Sequence, residues 1–178
     1  MAKLSEYVAE KLKINSNTDN ILEYSIKPNN RQELRDEIKL RLSKDPNADL
    51  NDIDVVNVKD MSDLFLGLNP EKIDISLWDV SNVKYMSFMF GNCSKLECDL
   101  SQWNVSNVID MTRLFHNCEK INFDISKWNV KNCTSINGMF HGAKSFKANI
   151  ENWNVQNLKS MRAAFDGSKI KKPSWYKE

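Results

Sequence analysis

Residues 101–115 read SQWNVSNVIDMTRLF, and residues 76–90 read SLWDVSNVKYMSFMF, exactly one period of 25 residues earlier. Tryptophan, asparagine and phenylalanine each recur in a column at this spacing. The columns are Trp78, Trp103, Trp128 and Trp153, with Ile53 in the first copy; Asn57, Asn82, Asn107, Asn132 and Asn157; and Phe65, Phe90, Phe115, Phe140 and Phe165. A fixed period of this length is typical of repeat proteins, in which stacked copies bury a core that one copy cannot. The repeat predicts five copies over residues 50–170.

Two periodicities follow each other within one copy. Residues 96–100, 121–125 and 146–150 alternate apolar and polar side chains, which predicts short strands with one buried face. The next segment has helical spacing, which predicts a short helix or 3₁₀ turn with Ser106 or Asn107 as its N-cap. Its apolar stripe is Val108, Met111, Leu114 and Phe115. The Trp, Met and Phe columns are expected in the core, and the asparagine column is expected to bond to the backbone between copies.

The repeat unit resembles a known family. Residues 74–90 and 99–115 both fit the pattern D-[I/L]-S-x-W-[D/N]-V-S-N-V-x-x-M-x-x-[M/L]-F. This pattern is similar to that of the BspA-like leucine-rich-repeat surface proteins. The resemblance covers residues 50–170 and implies an α/β fold, a right-handed leucine-rich-repeat-like solenoid of about five 25-residue rungs used for protein binding. It carries over no catalytic residues.

The segments outside the repeat are predicted to cap the stack, and a partner-binding role of its own is the alternative for residues 1–49. Residues 1–49 form an N-terminal α/β cap, with a strand in residues 21–26 and two helices. The helical faces are Leu4, Val8 and Leu12, and Leu34, Ile38 and Leu42, the second one capped by Asn29 or Asn30. Residues 171–178 lie in the register of a sixth, capping strand, with Trp175 and Tyr176 over the last copy. Lys169, Lys171, Lys172 and Lys177 make this end basic, which is interpreted as a solvated edge that blocks aggregation, with an anion site as the alternative.

Charge and hydropathy exclude several classes of function. Twenty-five basic and 24 acidic residues leave a formal net charge of +1, which disfavours binding to nucleic acid or to a membrane surface. Charged side chains interrupt the first 15 residues, and no stretch reaches the roughly 20 apolar residues of a membrane span. The expected location is therefore the cytoplasm, or the host cytoplasm if the chain is phage-encoded. Four cysteines are too few for a disulfide scaffold of this size.

Candidate reactive residues have structural interpretations. Cys93 and Cys118 share a column with Leu68 and Ala143, which indicates buried thiols. His116 and His141 share another column, and a zinc site with these thiols is the weaker alternative. The tryptophans are read as core, with a sugar- or base-stacking platform as the alternative. No spacing typical of a catalytic nucleophile or of a phosphate loop is present. The sequence therefore predicts no enzyme activity, no metal and no cofactor.

One polar column suggests a binding surface. Asp74, Asp99 and Asp124, followed by Asn149, would lie about 4.8 Å apart in a stack and repel each other. Bonds to the backbone or to the nearby serines, a basic partner, or a cation such as Ca²⁺ could offset that repulsion. Variable polar positions accompany this column on the strand face. The predicted partner-binding residues are Lys72, Asp74, Glu97, Asp99, Asn122, Asp124, Lys147 and Asn149.

The functional hypothesis is a non-enzymatic protein–protein interaction module, such as a phage-encoded or intracellular factor that binds a host protein. The alternatives are a structural or self-assembling component, with homodimerisation through a solenoid edge, and adhesin-type binding if the chain is exported. The sequence does not name the partner.

Overall fold

A computed structural model describes residues 24–177, and their α-helix, α1, spans Arg31–Lys44. Asn30 is its N-cap: the Asn30 side chain accepts a hydrogen bond from the Glu33 amide at 3.0 Å, and Glu33 accepts one from the Asn29 amide at 2.8 Å. This reciprocal arrangement satisfies amides that the first turn leaves without partners. Leu34 and Ile38 are buried against the repeats, so the second predicted helix is confirmed. The first predicted helix and residues 21–23 of the predicted strand lie outside the described residues.

The copies stack through parallel pairing at a 25-residue register. One ladder of single-residue bridges runs through four successive pairs of copies. It joins Asp60, Tyr85, Asp110, Ser135 and Ser160. Shorter pairings link Asp49 to Asp74, Lys72 to Glu97, and Ile26 to Ile53. Where strands were predicted, the described residues form single bridges or none, and the longest ladder lies just before the methionine column.

The predicted helical segment of each copy is a series of tight turns. Asp63, Phe88, Arg113, Gly138 and Ala163 occupy one column, and all have φ between 53° and 59°. A residue in the left-handed region cannot continue a right-handed helix. The structure therefore differs from the predicted helix, and Ser106 and Asn107 have no helix to cap. The turns themselves are closed by hydrogen bonds between residues three apart, such as that from the Leu114 amide to the Met111 carbonyl at 3.2 Å. A second left-handed column closes each copy with Gly67, Asn92, Asn117, Gly142 and Gly167, residue types that tolerate this conformation.

Replacing Ala163 with glycine should stabilise the protein, contrary to the usual effect of glycine. Ala163 has a φ of 55°, a conformation that costs an alanine about 1–2 kcal/mol and costs glycine almost nothing. After the greater entropy of the unfolded glycine chain is subtracted, a gain of about 0.5–1 kcal/mol is expected in chemical denaturation. The neighbouring variant Ala164→Gly is the control, because Ala164 is buried and has no left-handed φ. It should destabilise the fold, and the same sign in both variants would contradict the assignment.

The core consists of the repeated apolar columns stacked along the axis. Rings of the phenylalanine column are parallel and 5.1–6.0 Å apart between successive copies. The four repeat tryptophans are at most 5 % exposed, and each indole N–H donates to a main-chain carbonyl of the preceding copy, as in Trp103 to Ile75 at 3.1 Å. These contacts confirm the core assignment and exclude a stacking platform for sugars or bases, since the ring faces are covered.

The asparagine column connects the copies through its side chains, as predicted. Asn107 donates from Nδ2 to the Ser81 carbonyl at 2.8 Å, and the equivalent bond recurs from Asn82, Asn132 and Asn157. Each amide satisfies a carbonyl that the turn leaves without a main-chain partner. The asparagine is thus a part of the frame.

The two ends of the stack are covered differently. In each later copy, amides of the preceding copy occupy the carbonyls of the turn segment, as in Met61 to Tyr85 at 2.8 Å. In the first copy, arginines of α1 take over this role: Arg35 donates to the carbonyls of Leu64 and Leu66, and Arg31 donates to that of Ser62. At the other end, Trp175 stacks on Trp153 at 6.5 Å and Tyr176 meets Phe165 edge to face at 4.9 Å. The predicted contacts of the C-terminal segment with the last copy are confirmed, but residues 171–177 form no strand bridge, so the predicted sixth strand is absent from them. In residues 24–177, no helix is long and apolar enough to cross a membrane.

Candidate interaction face

The predicted binding columns line one surface, here called the interaction face, which contains two clefts. The acidic cleft, of about 600 Å³, lies over the first copies. It is lined by Asn47, Asp49, Lys72, Ile73, Asp74, Ser76, Glu97, Cys98 and Asp99. The lysine cleft, of about 610 Å³, lies at the C-terminal end. Its lining is Lys147, Ala148, Asn149, Glu151, Lys169, Lys171, Lys172 and Ser174.

The aspartate column of this face is held by local hydrogen bonds. Asp74, Asp99 and Asp124 each accept at Oδ1 the amide two residues later, at 2.9–3.1 Å, and Asn149 makes the same bond to Glu151. The amide of Ser126 lowers the pKa of Asp124 by favouring its charged form. One oxygen of each carboxylate is thereby assigned to the frame. The predicted local bonds to the backbone are therefore present, and their offset of the repulsion stays a prediction.

The acidic cleft concentrates negative charge. Four carboxylates line it, against the single ammonium of Lys72. Glu97 also forms an exposed ion pair with Lys120 at 3.5 Å, which is weak at this degree of exposure. Asp49 extends the column by one copy at the N-terminal side and bonds the Asn51 amide in the same way. Local hydrogen bonds thus hold the turns that form the cleft, and its rim is acidic.

The lysine cleft occupies the same columns three copies further along. Positions 147, 149, 172 and 174 follow positions 72, 74, 97 and 99 by 75 residues, so the two clefts are equivalent places in the repeat. Here four lysines face the one carboxylate of Glu151, which accepts hydrogen bonds from Ser174. The interaction face is therefore acidic at one end and basic at the other.

The structure brings six of the eight predicted binding residues into these clefts. Asn122 and Asp124 are exposed between the clefts and line neither of them. The prediction did not include Asn47, Asp49 or Lys169, Lys171 and Lys172 as binding residues. Asp49 lies one period before Asp74, and Lys172 lies four periods after Lys72. The 25-residue register was therefore sufficient to predict both residues.

Three of the four cysteines, Cys93, Cys118 and Cys133, are buried in the core, whereas Cys98 is half-buried and lines the acidic cleft. Cys93 and Cys118 are buried, and their thiols donate to the carbonyls of Phe65 and Phe90 at 3.4 and 3.0 Å. Burial raises the pKa of Cys93 to about 12 and that of Cys133 to about 11, which disfavours the reactive thiolate. Across residues 24–177, no group of three or more His, Cys, Asp or Glu side chains is arranged to hold a metal ion.

The stacked copies, their shared core and this face define a tandem-repeat protein. Residues 39–132 and 68–175 both match the model of a family described as "Mycoplasma protein of unknown function, DUF285". The two matches together cover most of the chain, and the chain belongs to this family. No curated protein and no solved structure matches it.

Proposed function

We propose that the chain is a non-enzymatic protein-binding module, built as a leucine-rich-repeat-like solenoid, that contacts its partner through the interaction face. The observation that carries the proposal is the charge order of this face. The two clefts include equivalent positions of one regular frame, and four carboxylates line the first whereas four lysines line the second. The resemblance of residues 99–115 to BspA-like repeats supports the architecture.

The frame suits recognition because its surface is ordered before binding. The turn bonds and the stacked core hold the columns, so a partner would lose little free energy to ordering of this side. Equivalent positions three copies apart are separated by about 14 Å at the usual spacing of parallel strands. A complementary protein would therefore present a basic segment and an acidic segment at about that distance, and charge would steer its approach.

The acidic cleft can be neutralised without changing its turns. In Asp49→Asn/Asp74→Asn/Asp99→Asn, each asparagine should keep the turn bond, as Asn149 does, while the cleft loses three negative charges. In affinity capture from a host extract, the triple variant should retain at least tenfold less of the partner than the unmodified chain does. The spectrum of the folded protein should be the same for both chains. Asp79→Asn is the matched control, since Asp79 is exposed, makes the same bond to Ser81, and lies off this face. Undiminished capture by the triple variant would remove the acidic cleft from the proposal.

A second candidate function is self-association of two copies through this face. The supporting observation is that the clefts mirror each other, four acidic groups to one lysine and four lysines to one glutamate. In a two-fold dimer with antiparallel faces, each acidic cleft would meet the lysine cleft of the other copy.

Light scattering across a range of salt concentrations separates the two candidates. Self-association predicts a dimer at low salt that dissociates as salt screens the charges. Lys169→Gln/Lys171→Gln/Lys172→Gln should prevent that dimer as completely as the triple asparagine variant. A monomer at every salt concentration would leave only the first candidate.

A further inference from the structure

A third cleft, here called the histidine cleft, lies on the turn segments and shares no residue with the interaction face. Its volume is about 580 Å³. It is lined by Phe88, Thr112, Arg113, His116, Asn137, Gly138, His141, Arg162 and Ala163. Four of these side chains are basic, and no carboxylate is among them. A chain with a net charge near zero thus concentrates basic groups at one concave place.

The arginines of this cleft differ from those of α1. Arg31 and Arg41 form ion pairs with aspartates, and Arg35 binds carbonyls. Among the described residues, neither Arg113 nor Arg162 takes part in an ion pair. The Arg113 guanidinium lies instead over the ring of Phe88, 5.1 Å from its centroid, which orients it by a cation–π contact and leaves its edge for a ligand.

The backbone makes room for Arg113. Gly138 has a φ of 57°, and a Cβ at this position would lie 3.2 Å from Cγ of Arg113. Gly138 is the only glycine in the left-handed column that it shares with Arg113 and Ala163, and it lies next to the Arg113 side chain. Ala163 closes the cleft in the last copy. At the equivalent positions of the other copies, the amides of residues 63, 88, 113 and 138 donate to the next copy at 2.8–2.9 Å. The Ala163 amide has no acceptor within residues 24–177.

The two histidines add imidazole nitrogens to the cleft, and one of these nitrogens has no hydrogen-bond partner within residues 24–177. Their rings stack at 4.9 Å with an interplanar angle of 18°. Nδ1 of His116 is buried and has no hydrogen-bond partner in the described part of the chain. Burial, followed by the charges of His141 and Arg113, lowers the pKa of His116. Two protonated rings at this distance, beside two guanidinium groups, would repel each other, and an anion bound in the cleft would offset that repulsion.

The acidic groups near the cleft do not supply that anion. Asp110 is engaged by the Thr112 amide at 2.8 Å and by the Ser87 hydroxyl at 2.7 Å. Asp166 follows His141 by one period and is exposed, and no ion pair joins the two residues.

We propose that the histidine cleft binds a phosphoryl group, with Arg113 and Arg162 as its charged donors and His116 and His141 as donors that become protonated on binding. A phosphate dianion has more acceptor oxygens than a single carboxylate and matches the guanidinium geometry. The group can belong to free phosphate or to a phosphorylated side chain, which share this chemistry.

Histidine NMR tests the proposal directly, because His116 and His141 are the chain's only histidines and both line the cleft. The ring signals are titrated against pH in chloride and in inorganic phosphate at equal ionic strength. Phosphate should raise the apparent pKa of both rings by about 0.5–1 unit, because the bound anion favours the protonated form. A phosphoserine peptide forms a second arm, and the probe that saturates at the lower concentration identifies the source of the group.

Two variants and one further anion make the test decisive. Arg162→Gln, at an exposed position, should abolish most of the shift while leaving the fold unchanged, and Arg113→Gln should do the same. Lys147→Gln, on the interaction face, should retain the shift. The proposal is overturned if neither phosphate probe moves the pKa values, if acetate moves them equally, or if the response survives in Arg162→Gln.

Discussion

Replacing Phe115 with alanine is expected to lower the free energy of unfolding by about 3–5 kcal/mol, since the cavity would open at the centre of the stack. Phe115 is fully buried in the third of the five copies. Its ring lies 5.7 Å from both Phe90 and Phe140 and 6.3 Å from Trp128. Because each copy is stabilised mainly by its neighbours, loss of this ring weakens two interfaces at once. Urea denaturation followed by tryptophan fluorescence measures the change.

Tyr85→Ala provides the control for the loss of an aromatic ring. Tyr85 belongs to the bridge ladder, but its side chain is 45 % exposed. Its replacement should change the free energy of unfolding by less than about 1 kcal/mol, as for most surface positions. If the two variants lost similar stability, the phenylalanine column would not be the centre of the core.

Replacing Arg35 with methionine should cost about 2–3 kcal/mol, because it leaves main-chain carbonyls of the first copy without donors. The Arg35 guanidinium donates to Leu64 at 2.6 Å and to Leu66 at 2.8 Å, and it also bonds Asp63. Methionine preserves much of the apolar stem, so the change reports the loss of the hydrogen bonds. Thermal and urea denaturation should both show it, and hydrogen exchange should increase first in the copy containing Met61 and Phe65.

Two further variants isolate the role of the guanidinium. Arg35→Lys should recover only part of the stability, since one ammonium cannot match the fork that spans several carbonyls. Lys39→Met, on the exposed surface of α1, should be close to neutral. Full rescue by lysine would mean that Arg35 acts through its charge alone.

The repeat columns could be predicted from the sequence because burial and spacing act in the same way in every copy. Trp103, Phe115 and Asn107 have the roles that their recurrence indicates, in the core and in the bonds between copies. Helix α1 was also predictable, since Asn30 and Glu33 carry a capping signal before the apolar residues.

The turn segment was not predictable in the same way. Apolar residues at positions 108, 111, 114 and 115 suit one face of a helix, and they suit consecutive turns equally well. Phe88 and Arg113 adopt a left-handed φ although neither is glycine or asparagine, so their residue types did not indicate that a helix would be interrupted there. Hydrogen bonds to the next copy, such as that from the Arg113 amide to Asn137, hold this conformation.

Some features of the candidate sites were likewise predictable from the sequence, and others were not. The aspartate column and its local bonds followed from the sequence, because a bond to an amide two residues later depends on nearby residues only. The charge order of the interaction face needed the stack, which places residues 75 positions apart in equivalent clefts. Arg162 was missed because its column contains serine, threonine and asparagine in the other copies.

By itself, the sequence determined the period, the composition of the core and the polar columns, since these depend on which side chains avoid water and how often they recur. Tertiary structure alone decided how the copies hydrogen-bond, which turns replace a helix, and which charged groups converge. Those features depend on contacts between residues about one period or more apart. Residues 101–115 form part of one copy, and contacts with the neighbouring copies decide the conformation that they adopt.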